Sequence, residues 1–184
     1  MYQTKPKYYF RLHQVRPRFK NDIENVLLYV SKKVSKLEPS SSNIFNKQLF
    51  DAIRLFPGNA VKSDKTISNW RTEISALFGF IVESKNKNIC APGEIAKKLS
   101  DNEDLVEFFK YFLFYFQYPG GHIKAHKLKD VINNKIRFKP ARYILKVLES
   151  GEKITGSRFH IDKAEATHFI YNDLRVTRDN CEPI

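Results

Sequence analysis

The sequence predicts a mainly α-helical protein with one small β-hairpin, arranged as two helical subdomains. Three observations carry this. Apolar residues recur at helical spacing in most segments. Only one stretch reads as two short strands around a polar turn. The helical pattern also resumes after a Pro-Gly-Gly break at Pro119-Gly120-Gly121.

The first twenty residues are basic and aromatic, and Pro6 and Pro17 discourage a helix there. Lys20 to Lys36 reads as a first helix, with Ile23, Val26, Leu27, Val30 and Val34 on one face and Asn21 as its cap. Glu38 to Asn43, EPSSSN, reads as a loop. Asn43 is expected to cap a second helix through Phe56, with Ile44, Leu49, Ile53 and Phe56 on one side. Phe56-Pro57-Gly58-Asn59 ends it.

Lys62-Ser63-Asp64-Lys65 leads into a third helix, Thr66 to Phe78. Ile67, Trp70, Ile74 and Leu77 form its apolar stripe, and Gly79 stops it. GFIVES, KNKN and ICAPG then read as strand, basic turn and strand. Three helices followed by a hairpin is the order of a winged helix-turn-helix, in which the third helix enters the major groove and the hairpin touches the backbone.

Glu107 to Tyr118 is nearly solid aromatic and aliphatic. The apolar run from Leu105 is too short for a membrane span, which needs about 20 residues. It reads as a helix buried on most of its circumference. His122 to Lys139 is basic and irregular by pattern. Lys139 to Ser150 is amphipathic, and Asp162 is expected to cap KAEATHFIYNDL. That pair of helices reads as a second helix-turn-helix-like unit. The expected division is a winged-helix-like subdomain over 1–118 with a basic N-terminal arm, a basic connecting loop over 119–137, and a second subdomain over 138–184.

The chain of 184 residues has 32 Lys+Arg against 20 Asp+Glu, a net charge of +12. That balance favours a polyanion, nucleic acid before an anionic membrane surface. The two cysteines, Cys90 and Cys181, form no zinc-like pattern and suit a reducing cytoplasm. The N-terminus has no apolar signal region, which also points to a cytoplasmic protein. Phosphate-loop, dinucleotide and nucleophile-elbow motifs are absent. No catalytic residue, metal ligand or cofactor is assigned to this chain.

The candidate DNA contacts follow from residue chemistry. Lys62, Ser63, Lys65, Ser68, Asn69, Arg71 and Thr72 surround the third helix. Asn69 suits adenine and Arg71 suits guanine. Lys85 and Lys87 in the hairpin turn suit phosphate. His122, Lys124, Lys127 and Lys129 follow the Pro-Gly-Gly break, and Lys135, Arg137 and Lys139 extend that basic cluster. A solvated helix face is the alternative reading for the third-helix residues, and an exposed loop for the histidine. Trp70 and Phe80 are assigned to the core.

Three segments carry a resemblance: WRTEISALFGFIVESKNKNICAPGEIAKKLSDN (Trp70 to Asn102), FFKYFLFYFQYPGGHIKAHK with its distinctive QYP, and FKPARYILKVLES. The later IDKAEATHFIYND extends it. Together, over roughly residues 45–175, the chain resembles the N-terminal DNA-recognition region of type IIS restriction and nicking endonucleases of the AlwI kind. The resemblance implies sequence-specific binding of double-stranded DNA. It also implies cleavage by a nuclease domain that is C-terminal or separate, with Mg²⁺ belonging to that domain. Two other readings stay open. One is a small PD-(D/E)XK nuclease using Asp64, Glu83 and Lys85; the other is a winged-helix regulatory or interaction protein.

Overall fold

In the computed structural model, residues 4–12, 19–84 and 88–178 are described. Helix α1 is Ile23–Val34, α2 Ser42–Arg54, α3 Asp64–Thr72, α4 Glu94–Asn102, α5 Leu105–Tyr115, α6 Ala125–Asn133, α7 Pro140–Thr155, α8 Lys163–Glu165 and α9 Leu174–Thr177. Strands are β1 Ser40–Ser41, β2 Ile81–Ser84 and β3 Ile89–Pro92. The three strands form an antiparallel sheet in the order β1-β3-β2. The fold is mainly helical with a small sheet, and α1-β1-α2-α3-β2-β3 is a winged-helix order.

The chain divides into two compact units. One comprises Val15–Lys110; the other comprises Met1–Gln14 and Tyr111–Ile184. This differs from the division expected at 118 and 137. Tyr118 exchanges backbone hydrogen bonds with Phe138 (2.7 and 2.9 Å), so the intervening segment is closed on itself at both ends. Val131 and Ile136 within it are buried in the core of that unit.

In the winged-helix unit the apolar stripes expected for the first and third helices meet that of α2, in which Phe45 is buried in place of the expected Ile44, which is exposed. Val26, Leu27, Val30 and Val34 of α1 are buried with Leu49 and Ile53 of α2 and with Ile67 and Trp70 of α3. Trp70 meets Phe19 edge-on, with ring centroids 4.9 Å apart, and lies 5.8 Å from Phe56. Trp70 and Phe80 are core residues, as expected. Past Thr72 the helix widens into one π-type turn, Glu73–Leu77, which keeps Ile74 and Leu77 buried. Gly79 then takes φ +68°, a left-handed conformation that other residues rarely adopt.

Two local expectations change here. The EPSSSN loop contributes β1, because Ser40 and Ser41 pair with Cys90 and Ile89 of β3. No alternation of apolar residues marks such a strand; its partner is some fifty positions away. The second helix begins at Ser42 rather than after Asn43, and α1 follows Asp22 rather than Asn21, in neither case with a side-chain cap.

The second unit has a core of Leu12, Tyr118, Ile123, Val131, Ile136, Phe138, Ile170 and Leu174. Its β content among the described residues is confined to isolated bridges: Tyr9 with Asp173, Tyr118 with Phe138, and Ile136 with Arg178. The N-terminal segment is stitched here. Phe10 donates its N–H to Asn172 O, and Thr4 Oγ1 donates to His168 O. The expected basic arm of the winged-helix subdomain therefore packs in the other unit. Asp162 caps α8 with a reciprocal capping box to Glu165, as its sequence position predicts. Gly151 lies mid-helix in α7 because the Phe159 ring occupies the space of a Cβ, leaving it only 2.3 Å.

Two further expectations are corrected. Residues 125–133 form α6 rather than an irregular loop. Leu128 and Val131 provide a narrow apolar edge to this helix, and the surrounding lysines obscure it in the sequence. Helix α5, expected to be buried on most of its circumference, buries only Phe108. Val106, Leu113, Phe114 and Tyr115 are exposed. Hydrophobicity alone does not bury a helix; a neighbouring surface must cover each side. Among the described residues, no helix is long and apolar enough to cross a membrane.

Candidate nucleic-acid interface

Helix α3 starts two residues earlier than expected, at Asp64. Ser63 is its cap, accepting from Thr66 N at 3.4 Å and lying 3.1 Å from Thr66 Oγ1. The start matters because it sets which side chains share a face. Successive residues turn by about 100° around an α-helix. Ile67 and Trp70 point into the core. Asp64, Ser68 and Arg71 then form one row at i, i+4 and i+7. Lys65, Asn69 and Thr72 form the adjacent row. Both rows lie on the arc away from the core. Lys65 and Thr72 are exposed, and Ser68, Asn69 and Arg71 are half-buried. The structure therefore gathers five of the candidate residues with Asp64 on one helix surface. Thr72 Oγ1 donates to Ser68 O at 3.0 Å, which ties it back to its own helix.

The turn before α3 is held from α2. Arg54 donates one guanidinium nitrogen to Lys62 O and another to the Asp64 carboxylate. Its guanidinium also lies 5.2 Å from the Phe50 ring centroid. Lys62 donates to Asn59 Oδ1 and lies 4.5 Å over the Trp70 ring. Asn59 is fully buried, donating to Ile53 O at 2.8 Å. Lys62 is thus partly committed to the fold, whereas Ser63 and Lys65 stand outward. Sequence reasoning missed Arg54: it precedes Asp64 by ten residues, and no local pattern links the two.

Lys85 and Lys87 lie outside the described residues. They sit between Ser84 of β2 and Asn88, which adopts φ 49° before β3. Glu83, on β2, is exposed and opposite Cys90. Asp64 is paired with Arg54. Among the described residues, no three His, Cys, Asp or Glu side chains are grouped to hold a metal ion.

The remaining candidates belong to the second unit. Lys124 is the residue before α6, and Lys127 and Lys129 are on it; all three are exposed. Two residues apart on a helix means opposite flanks, so Lys127 and Lys129 do not form one row. His122 is placed differently from the lysines. Its ring packs 5.0 Å from Phe116 and 5.1 Å from Tyr118. Farther along, Lys135, Arg137 and Lys139 are exposed while Ile136, Phe138 and Pro140 are buried. Lys135 itself sits in a turn at φ 57°, while Arg137 and Lys139 follow it on the solvent side of the short segment between the buried Ile136, Phe138 and Pro140.

The family model described as "Restriction endonuclease BpuJI - N terminal" matches residues 2–184. The chain belongs to this family. The resemblance to the recognition region of a restriction endonuclease is thereby borne out, and the enzyme that defines the family is BpuJI. No curated protein matches the chain. Among solved structures, one that superposes is the crystal structure of pyrene- and phenanthrene-modified DNA in complex with the BpuJ1 endonuclease binding domain. The TM-score is 0.83 at 27% sequence identity, over 95% of this chain and 61% of that one. The chain thus spans about three-fifths of the length of the chain it matches.

Proposed function

We propose that this chain binds double-stranded DNA sequence-specifically, as the target-recognition part of a restriction endonuclease whose nuclease domain lies elsewhere. The observation that carries this reading is the likeness, over 95% of the chain, to an endonuclease binding domain crystallised with DNA. The net charge of +12 supplies the sequence-independent attraction. The outer rows of α3 supply a mixed set of donors and acceptors on a helix that a winged-helix fold directs at the major groove.

The roles divide by chemistry. Asn69 and Arg71 read bases, and Ser63, Lys65, Ser68 and Thr72 contact phosphates or base edges. Lys124, Lys127 and Lys129 grip the backbone, as do Lys85 and Lys87. Lys62, already holding Asn59, acts through its charge. His122, packed between aromatic rings, supports the local structure more than it reaches a ligand.

Selection from a random double-stranded DNA pool, at two salt concentrations and without metal, tests this. Enrichment of one short asymmetric motif, with affinity falling in salt, is the expected result. Salt-sensitive binding with no enriched motif would leave a generic cationic binder and overturn the reading.

A further inference from the structure

Within α3, one carboxylate stands among the candidate DNA contacts. Asp64 lies in the first turn of α3, between Ser63 and Lys65, with its side chain 85% exposed. A carboxylate facing phosphates is repulsive and suppresses binding to the wrong partner. This one is also oriented. Its Oδ1 accepts from Arg54, whose side chain is only 26% exposed and whose other guanidinium nitrogen is on Lys62 O. The carboxylate is thus aimed by a side chain anchored in α2, and much of its surface stays open.

We infer that Asp64 is a specificity-determining residue that accepts a hydrogen bond from the exocyclic N4 amine of a cytosine in the major groove. This rests on the DNA-recognition reading above. The base edges leave little choice. Guanine presents only N7 and O6 acceptors, and thymine presents O4. Adenine sets its N6 donor beside the N7 acceptor. Cytosine alone offers a donor with no acceptor of its own alongside; at adenine the carboxylate meets N7 next to the donor, and at guanine and thymine it meets acceptors alone. Arg54 offsets the charge enough for the helix to approach DNA, and it holds Oδ1 so that the acceptor geometry is set before binding.

The same row carries Arg71, seven residues on. At about 1.5 Å per residue the two side chains are spaced roughly 10 Å along the helix. The selected motif accordingly contains both a cytosine required by Asp64 and a guanine required by Arg71.

The test is the same selection, run on the wild-type chain, Asp64→Asn and Asp64→Glu, with thermal melting of all three. A carboxylate serving only the helix dipole is replaced by Glu without loss; a positioned acceptor is not. The expected result is that both variants melt close to wild type. Both lose preference at one cytosine by tenfold or more and keep the rest of the motif. The inference is overturned if Asp64→Asn selects the wild-type motif. It is equally overturned if every position weakens together, whereas a cytosine kept by Asp64→Glu and lost by Asp64→Asn still places the carboxylate on cytosine and removes only the requirement that Arg54 fix its position. If the wild-type chain enriches no motif, the recognition reading fails first and the role of Asp64 falls with it.

Discussion

The two units carry the same number of cations and differ in nearly everything else. The winged-helix unit, Val15–Lys110, has 16 Lys+Arg against 12 Asp+Glu, a net charge of +4; the other unit has 16 against 8, a net of +8. The less charged unit has the three-stranded sheet and a continuous core beneath a polar helix face. The more charged unit is assembled from two separated stretches of sequence, held by helices and isolated bridges. Charge and shape are thus distributed separately. Under the proposed function, reading bases calls for donors and acceptors of both signs at set positions, and the α3 face carries such a mixture in Asp, Ser, Lys, Asn, Arg and Thr. Holding a backbone of uniform charge requires only cations in number.

Trp70→Ala should break the comparison most severely. Trp70 is buried and supports the whole inner face of α3. Its loss should cost about 3–5 kcal/mol, as large aromatic truncations do, and urea unfolding would measure it. A cost below about 1 kcal/mol would mean that α3 does not depend on this packing.

Arg71→Ala and Asn69→Ala should each relax one position of the selected motif, by about 1–3 kcal/mol of discrimination. Competition binding with single-base variants of the site reads this directly. Uniform weakening at all positions would move these two residues from base reading to backbone binding.

Changing Lys124, Lys127 and Lys129 to Gln should have the smallest effect on choice. The motif should stand, overall affinity should fall, and the slope of log K against log salt should shrink by about 0.9 for each phosphate no longer neutralised. Because Lys127 and Lys129 lie on opposite flanks of α6, the slope should change by less than the full amount for three phosphates. An altered motif would show that the second unit also reads bases, and the contrast between the units would disappear.

Much of the winged-helix unit was legible in advance. The stripe of Ile67, Trp70, Ile74 and Leu77 predicted both the helix and its inner face, and Gly79 marked its end. The hairpin followed from two short apolar runs around KNKN. The second unit was harder to read. Helix α6 was hidden because its apolar edge is narrow and its lysines dominate the composition. The apolar composition of α5 predicts burial, yet most of the helix is exposed. The candidate site was legible as residue types around one helix, while Arg54 and the true start of α3 were not.

The sequence by itself determined the first three helices and the hairpin that follows them, the inner faces of α1 and α3 and the excess of positive charge. These depend on local periodicity and on composition, which a linear chain displays. Only the tertiary structure decided that Ser40–Ser41 is a strand, that residues 4–12 pack with the C-terminal stretch, and that Asp64 is held by Arg54. Each of these depends on a partner distant along the chain. A hydrogen bond or ion pair across such a distance leaves no periodic trace in either segment; it exists only once both are brought together.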